Sequence, residues 1–286
     1  MTALDAIRHR SEVWRSVPVV AGAAIIAVIV LAAALAPLAA PYDPHALSGG
    51  SLDPPSAQHL FGTNDIGQDI LSQLIWGART SLIVGLLAPL LAMSLGVVVG
   101  VGSGLVGGAL DRVVARVLDV LLAVPVLPLL IAIAALVGGG RTTVILAIGL
   151  LGWPRVARVM RSPTLSLRQR GFVTSARGFG GGTPYLIRRH LVPALGPLIA
   201  LRFVDIASIA IFLEAGLAFL GLGDSSTVSW GQMLSRAVAH QGLYYTPLWT
   251  WWVLPAGLAI TLAIVGFALL SVGLEPIFNP RTNRAR

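Results

Sequence analysis

The sequence predicts an all-α, polytopic membrane protein with six transmembrane helices. Three observations carry that expectation. Of 286 residues, 56% are hydrophobic and 11% charged, with a mean hydropathy of +0.83, whereas a soluble domain carries about a quarter charged residues. Six apolar stretches approach or exceed the ~20 residues needed to cross a ~30 Å hydrocarbon core. Arginines cluster at alternate turnarounds between those stretches, the sign of a chain oriented in a bilayer.

The stretches lie at residues 17–40, 80–104, 113–137, 143–159, 196–222 and 249–274. The first follows three arginines and ends on small residues near Ala39-Ala40, which resembles a signal peptide. Its apolar run exceeds the roughly 7–15 residues of a signal core and five more spans follow, so it reads as a retained helix. The second is rich in glycine. Gly100 and Gly104 form a small-xxx-small step that permits close helix contact. The third contains Pro125 and Pro128, and the fourth is short.

Arg8, Arg10 and Arg15 precede the first span, and Arg112 and Arg116 mark the second turnaround. Eight arginines crowd the fourth, from Arg155 to Arg189, and Arg281, Arg284 and Arg286 lie beyond the sixth. The opposite side holds Arg79, Arg141 and Arg236 with Asp43, Asp53, Asp65, Asp69 and Asp224. The positive-inside rule places both termini in the cytoplasm. All twenty basic residues are arginine, and their topological placement accounts for the net charge of +8 without nucleic acid. With no cysteine, disulfide and thiol chemistry are excluded,. Five histidines without ligand spacing suggest no metal site. No GxxxxGK[ST] loop is present, so the chain is not expected to hydrolyse ATP,.

Two longer outer loops are expected. Residues 41–77 are dense in Pro, Gly and Asp and read as a turn-rich connection with no core of its own,. Residues 223–247 and the start of the next span carry Trp230, Tyr244, Tyr245, Trp249, Trp251 and Trp252, which read as an interfacial aromatic belt.

The polar loop TSARGFGGGTPYLIRRHLVP, residues 174–193, is the most informative segment. Thr174, Ser175 and Ala176 are small enough for a helix to approach another surface closely. Glycines at 178 and 180–182 break that helix, each costing about 1 kcal/mol in a helix interior. Thr183 reads as an N-cap with Pro184 at the first helical position, and Pro193 as the end or kink of the second short helix. Two short helices around a flexible corner make a shape able to enter a partner's groove.

The loop resembles the EAA loop of ABC-transporter permeases, which docks into the ATPase subunit. That pattern is Glu-Ala-Ala, three residues, Gly, nine residues, an aliphatic, one residue, Leu and Pro. Ala176, Gly180 and Pro193 match in register; Thr174, Ser175 and Val192 stand for Glu, Ala and Leu. LFGTNDIGQDILSQLIWGARTSL (60–82), GLVGGALDRVVARVLDVLLAVP (104–125), LEAGLAFLGLG (213–223), VSWGQML (228–234) and the ending LEPIFNPR resemble the C-type permeases of the dipeptide, oligopeptide and nickel subfamily. The resemblance runs from about residue 41 to 281. It implies an N-terminal helix and outer loop (1–74), a type I importer permease core of the MetI-like kind (75–274) with a coupling loop at about 161–193, and a tail (275–286).

It also implies partners: a homologous permease subunit in a heterodimer, two ATP-binding subunits that hold ATP and Mg, a solute-binding protein outside, and the lipid bilayer of a bacterial cell membrane. No cofactor is expected on this chain. Peptides are the implied solute, with nickel complexes and other small solutes as alternatives. His190 reads as a docking or cap residue of the loop.

Four ionisable residues fall inside expected spans, where they should face protein or a water-filled cavity. Arg202 and Asp205, three apart, can pair on one helix face. Asp119 can pair with Arg116 in the same way. Glu214 has no opposite charge one turn away, so a translocation-path role and a hydrogen bond to a neighbouring helix both stand. An ion-gradient-driven transporter using Asp205 or Glu214 as relay, and a membrane scaffold without transport, are the readings from other classes.

Overall fold

A computed structural model describes residues 16–278, Ser225 excepted. The N-terminal arginines, Arg281 to Arg286 and the end of the LEPIFNPR motif lie outside the described residues. The elements run α1 (Val17–Ala34), α2 (Ala36–Ala39), α3 (Ile70–Val106), α4 (Gly108–Ala123), α5 (Val126–Val137), α6 (Arg141–Leu167), α7 (Gly171–Gly178) and α8 (Thr183–Leu186). A π-helical turn (Ile187–Leu191), α9 (Val192–Phe219), α10 (Trp230–Ala239), a 3₁₀ turn (Leu243–Tyr245) and α11 (Leu248–Phe278) complete them.

Among the described residues, four helices are long and apolar enough to cross a membrane: α1, α3, α6 and the Leu248–Glu275 part of α11. The pair α4 and α5 passes the same length and apolarity test only when taken together, and it is bent by 76°. The sequence suggested one span there. Pro125 instead caps α5, and Val124 before it is extended, at φ −77° and ψ 128°. Proline disfavours the helical region for the residue preceding it, so the chain turns at Val124. The remaining expected span falls in α9, whose 28 residues reach about 42 Å at ~1.5 Å per residue. The fourth span is longer than expected. α6 has 27 residues and continues as helix past the expected end at 159 through Arg161 to Leu167.

The tightest helix pair is α3 against α6. A Cβ added at Gly96 would lie 2.9 Å from the Trp153 carbonyl oxygen, one at Gly100 2.9 Å from Ala157 Cα, and one at Gly104 3.0 Å from Thr164 Cβ. Three glycines four residues apart share one helix face, and each admits the backbone or a short side chain of α6. Gly102, off that face, meets nothing within 4 Å. The pattern extends to α1 and α11, where Gly22 would meet the Gly266 carbonyl oxygen at 2.7 Å.

At the arginine-rich end, charged pairs fasten α4 to α6. Arg161 reaches both carboxylate oxygens of Asp111, with Nη2 to Oδ2 at 2.7 Å. Asp119 pairs with Arg158 of α6 rather than with Arg116. The correction follows from the approach of α6, which offers a guanidinium across the helix interface.

At the opposite end, residues 41–69 form an ordered cap with a polar interior, not a coreless connection. His59 Nδ1 lies 2.9 Å from Asp69 Oδ1. Asp69 caps α3 through the Ser72 amide at 2.7 Å, and Asn64, Gln68 and Gln73 interlock their amides. All are buried. Side chains that look turn-forming in sequence replace an apolar core, because these buried amides, the imidazole and the carboxylate pair with one another,. Arg236 of α10 ties down this cap through Asp65 at 2.7 Å.

The aromatic belt is smaller than expected. Trp230 is 2% exposed and its indole N–H donates to the Leu74 carbonyl at 2.9 Å; Trp252 is fully buried. Tyr244, Tyr245 and Trp249 remain exposed. The fault lay in reading residues 230–239 as loop. They form a helix started by a capping box between Ser229 and Gln232, which turns Trp230 inward.

Arg202 and Asp205 pair on α9 at 2.9 Å, and Ser271 of α11 donates to the same carboxylate. Their side chains are 43% and 28% exposed, less buried than their place in an apolar span suggested. They open on a cavity of about 350 Å³ that also carries Arg155.

Two outcomes test this packing. Gly100→Val should push α6 from α3 and cost about 1–3 kcal/mol or more by overpacking, read as a lower melting temperature in detergent. Gly102→Ala should leave it unchanged, and equal melting of both variants contradicts the contact. Asp205→Asn strands Arg202 and should cost about 1–3 kcal/mol, between the values for exposed and buried pairs. An Arg202→Gln, Asp205→Asn variant should regain part of that loss; a single variant as stable as wild type contradicts the pairing.

Candidate functional site

The polar loop leaves α6 at Leu167 and returns into α9 at Val192. Arg168 anchors its start, donating to the Gly104 carbonyl of α3 at 3.3 Å. α7 then runs from Gly171 to Gly178, with Val173 buried and Thr174 and Ser175 exposed. The Thr174 hydroxyl turns back onto its own helix, donating to the Gly171 carbonyl at 3.0 Å. Ala176 is half-buried.

Gly180 ends this helix in a defined way. Its φ is +85°, its N–H donates to the Arg177 carbonyl at 3.0 Å, and the Gly181 N–H donates to the Ala176 carbonyl at 2.9 Å. This is a Schellman closure with glycine at the left-handed position. A Cβ at Gly180 would meet nothing within 4 Å. Glycine is therefore required there by backbone conformation and not by packing within the chain. The same closure pushes Phe179 outward, to 93% exposure.

Beyond the corner, Gly182 caps α8, not Thr183, and Pro184 follows within its first turn. Pro193 neither ends nor kinks a helix visible as a separate unit. The chain runs from α8 through the π turn into α9, with the Val192 N–H bonded to the Ile187 carbonyl. A proline in a regular helix clashes with the carbonyl four residues back. The wider π turn just before Pro193 relieves that clash and keeps the helix continuous.

His190 braces the loop from inside. Its ring lies 5.4 Å from Tyr185, edge-on, and 6.1 Å from Phe172. It is half-buried and packs between the two short helices. Leu186 and Leu191 seat the loop in a buried cluster with Leu105 and Met160 of α3 and α6. Of the loop residues singled out in sequence, Thr174, Ser175 and Gly180 form the exposed corner, Ala176 and His190 its support, and Pro193 its exit.

The four intramembrane candidates do not converge. Arg202 and Asp205 share α9, Asp119 lies on α4, and Glu214 sits two and a half turns beyond Asp205. Glu214 is buried, and one oxygen accepts from the Ser81 hydroxyl of α3 at 2.9 Å. It also borders a small recess with Thr80, Arg141 and Ser229. Between α9 and α10, the Ser226 hydroxyl and amide hold the Asp224 carboxyl below the usual carboxylate range, with help from the Arg141 amide and charge.

Phe179 was missed because a single aromatic between glycines has no periodicity; its flanking glycines were the available signal. Asp111 was missed because its partner, Arg161, is fifty residues away. Among the described residues no group of three or more His, Asp or Glu could hold a metal ion.

Residues 96–284 match the model of the binding-protein-dependent transport system inner membrane component. Residues 14–60 match the N-terminal transmembrane domain of oligopeptide transport permease C. A putative peptide permease protein of Brucella suis is 34% identical over 263 residues, covering 91% of this chain and 86% of the relative. A probable peptide ABC transporter permease protein of Sinorhizobium fredii is 39% identical over 236 residues, with 82% and 79% covered. A probable D,D-dipeptide transport system permease protein of Escherichia coli is 35% identical over 265 residues, with 92% and 87% covered. With spanning helices, an ordered cap at one end and a helical corner at the other, the chain belongs to the inner membrane components of binding-protein-dependent transport systems, the permeases of type I ABC importers.

Proposed function

We propose that this permease forms half of the transmembrane pathway of a peptide importer, with α9 as its sixth crossing and both termini in the cytoplasm. A homologous permease subunit completes the pathway. Two ATPase subunits bind at the arginine-rich end, and a solute-binding protein delivers peptide at the capped end. ATP hydrolysis belongs to the ATPase subunits, which hold ATP and Mg. The peptide assignment is supported by the relatives above, which are named as peptide permeases.

One observation carries the coupling role: the Schellman corner at Gly180 presents Phe179 almost fully exposed, beside Thr174 and Ser175. An aromatic held out on a rigid turn suits a pocket in a partner, where such anchors supply most of the binding energy. The loop is seated on α3, α6 and α9, so a push on the corner is delivered to the bundle. ATP binding on one side and loaded binding protein on the other then bias two conformations by their differential contacts. Glu214, buried against Ser81, serves to hold α9 to α3 rather than to relay protons.

Two experiments test this reading. The chain lacks cysteine, so single cysteines report sidedness. Gln58→Cys should react with an impermeant thiol reagent from outside and Gln169→Cys only after the membrane is opened; the reverse pattern overturns the orientation. In the reconstituted complex, Gly180→Arg should abolish solute-stimulated ATP hydrolysis and ATPase co-purification while the permease still inserts. Thr174→Glu, which restores the residue of the family pattern, should be tolerated. Full stimulation in Gly180→Arg removes the coupling role, and uptake without any ATPase subunit returns the ion-gradient alternative.

A further inference from the structure

Three arginines lie at the capped end, against the bias that concentrates such residues on the cytoplasmic side. Arg236 is accounted for by its pair with Asp65 and its bond to Gln68. Arg79 and Arg141 are not: among the described residues neither has a carboxylate within ion-pair distance. Both line one cavity of about 350 Å³, between the starts of α3 and α6 and the two loops of the cap.

The lining has the chemistry of a site. The Arg79 guanidinium sits 5.7 Å from the centre of the Trp76 ring, which shares the cavity wall. The Arg141 Nε is enclosed by protein and has no hydrogen-bond partner. A buried N–H of a charged group without an acceptor is costly, and a guanidinium presents its donors in a fork that fits a carboxylate. Two acids lie nearby: Asp43, which shares the cavity wall and accepts from the His45 amide at 2.8 Å, and Asp224, which is engaged by Ser226 and the Arg141 backbone amide and feels the Arg141 charge; neither forms an ion pair with the Arg79 or Arg141 guanidinium. Thr80, Arg141 and Thr227 also border the separate small recess that holds Glu214.

We propose that this cavity receives the carboxylate of the solute, the C-terminal carboxylate of a peptide, as it leaves the binding protein. The inference rests on the peptide reading above and on the orientation that places the cap outside. A concave recess of this size suits part of a small molecule better than the broad, flatter contact between two proteins. Arg79 and Arg141 bind the carboxylate, and Trp76 covers the adjoining side chain or backbone.

The test uses the full reconstituted complex with its binding protein, a peptide that the binding protein holds and the same peptide as its C-terminal amide, each at a concentration that saturates the binding protein. Arg141→Gln and the more exposed Arg79→Gln should each lower the maximal uptake rate of the free-acid peptide about tenfold, the loss typical of one charge-assisted hydrogen bond. The concentration of loaded binding protein giving half-maximal rate should not change. Uptake of the amide, already slower in wild type, should be the same in both variants. Basal ATP hydrolysis reports assembly. Equal losses for acid and amide, or no loss in either variant, overturn the inference while the peptide reading stands. A raised half-saturating concentration of binding protein also overturns it, because the carboxylate then belongs to that protein. A wild-type complex that moves neither peptide removes the peptide reading and this inference with it.

Discussion

The close approach of α3 to α6 along Gly96, Gly100 and Gly104 is the contact on which the rest of the molecule depends. Lipid tails are as apolar as leucine, so no hydrophobic force drives helices together in a bilayer, and association relies on packing that small residues permit. With a glycine at each of three successive steps, the α6 backbone comes within van der Waals contact of α3. The axes are thereby fixed, and so are the two ends of the pair. At one end lie Arg79, Thr80 and Arg141, which frame the cavity. At the other, Arg168 bonds the Gly104 carbonyl and the polar loop begins. One rigid pair therefore connects the cavity proposed for the solute with the corner proposed for the ATPase.

The remaining elements are arranged around that pair according to what each end must tolerate. The capped end is held by polar groups: Asp69 capping α3, the Asn64–Gln68–Gln73 amides, and Arg236 on Asp65. Hydrogen bonds of this kind hold a loop at a water-facing surface where an apolar core would be too small. The arginine-rich end is held by ion pairs between helices, Asp111 with Arg161 and Asp119 with Arg158. These leave the Schellman corner as an appendage on a buried leucine seat. A stiff appendage on a packed seat transmits displacement, where a flexible loop absorbs it.

The spans, the glycine stripe and the polar loop were legible in the sequence because each rests on local pattern: hydrophobic length, four-residue spacing, and glycine at a helix end. The Arg202–Asp205 pair was legible for the same reason, being one turn apart. What was not legible depends on partners distant in the chain. Asp119 chooses Arg158 over Arg116 because α6 passes by, and Trp230 turns inward because Leu74 offers an acceptor. The cap looked coreless because its core is polar. Proline was misjudged twice, in opposite directions. Pro125 produced a 76° bend where one span was expected, and Pro193 was absorbed by a π turn where a break was expected.

The central claim is that the corner around Gly180 is the surface through which the ATPase drives this permease. Site-specific cross-linking measures that contact directly. With cysteine placed at Phe179 in the otherwise cysteine-free chain, a short homobifunctional thiol reagent applied to the intact complex should join the permease to an ATPase subunit bearing a cysteine in its docking groove. The yield should change between the ATP-bound and nucleotide-free states. Absence of that product in both states, with the complex shown to be assembled, would contradict the account.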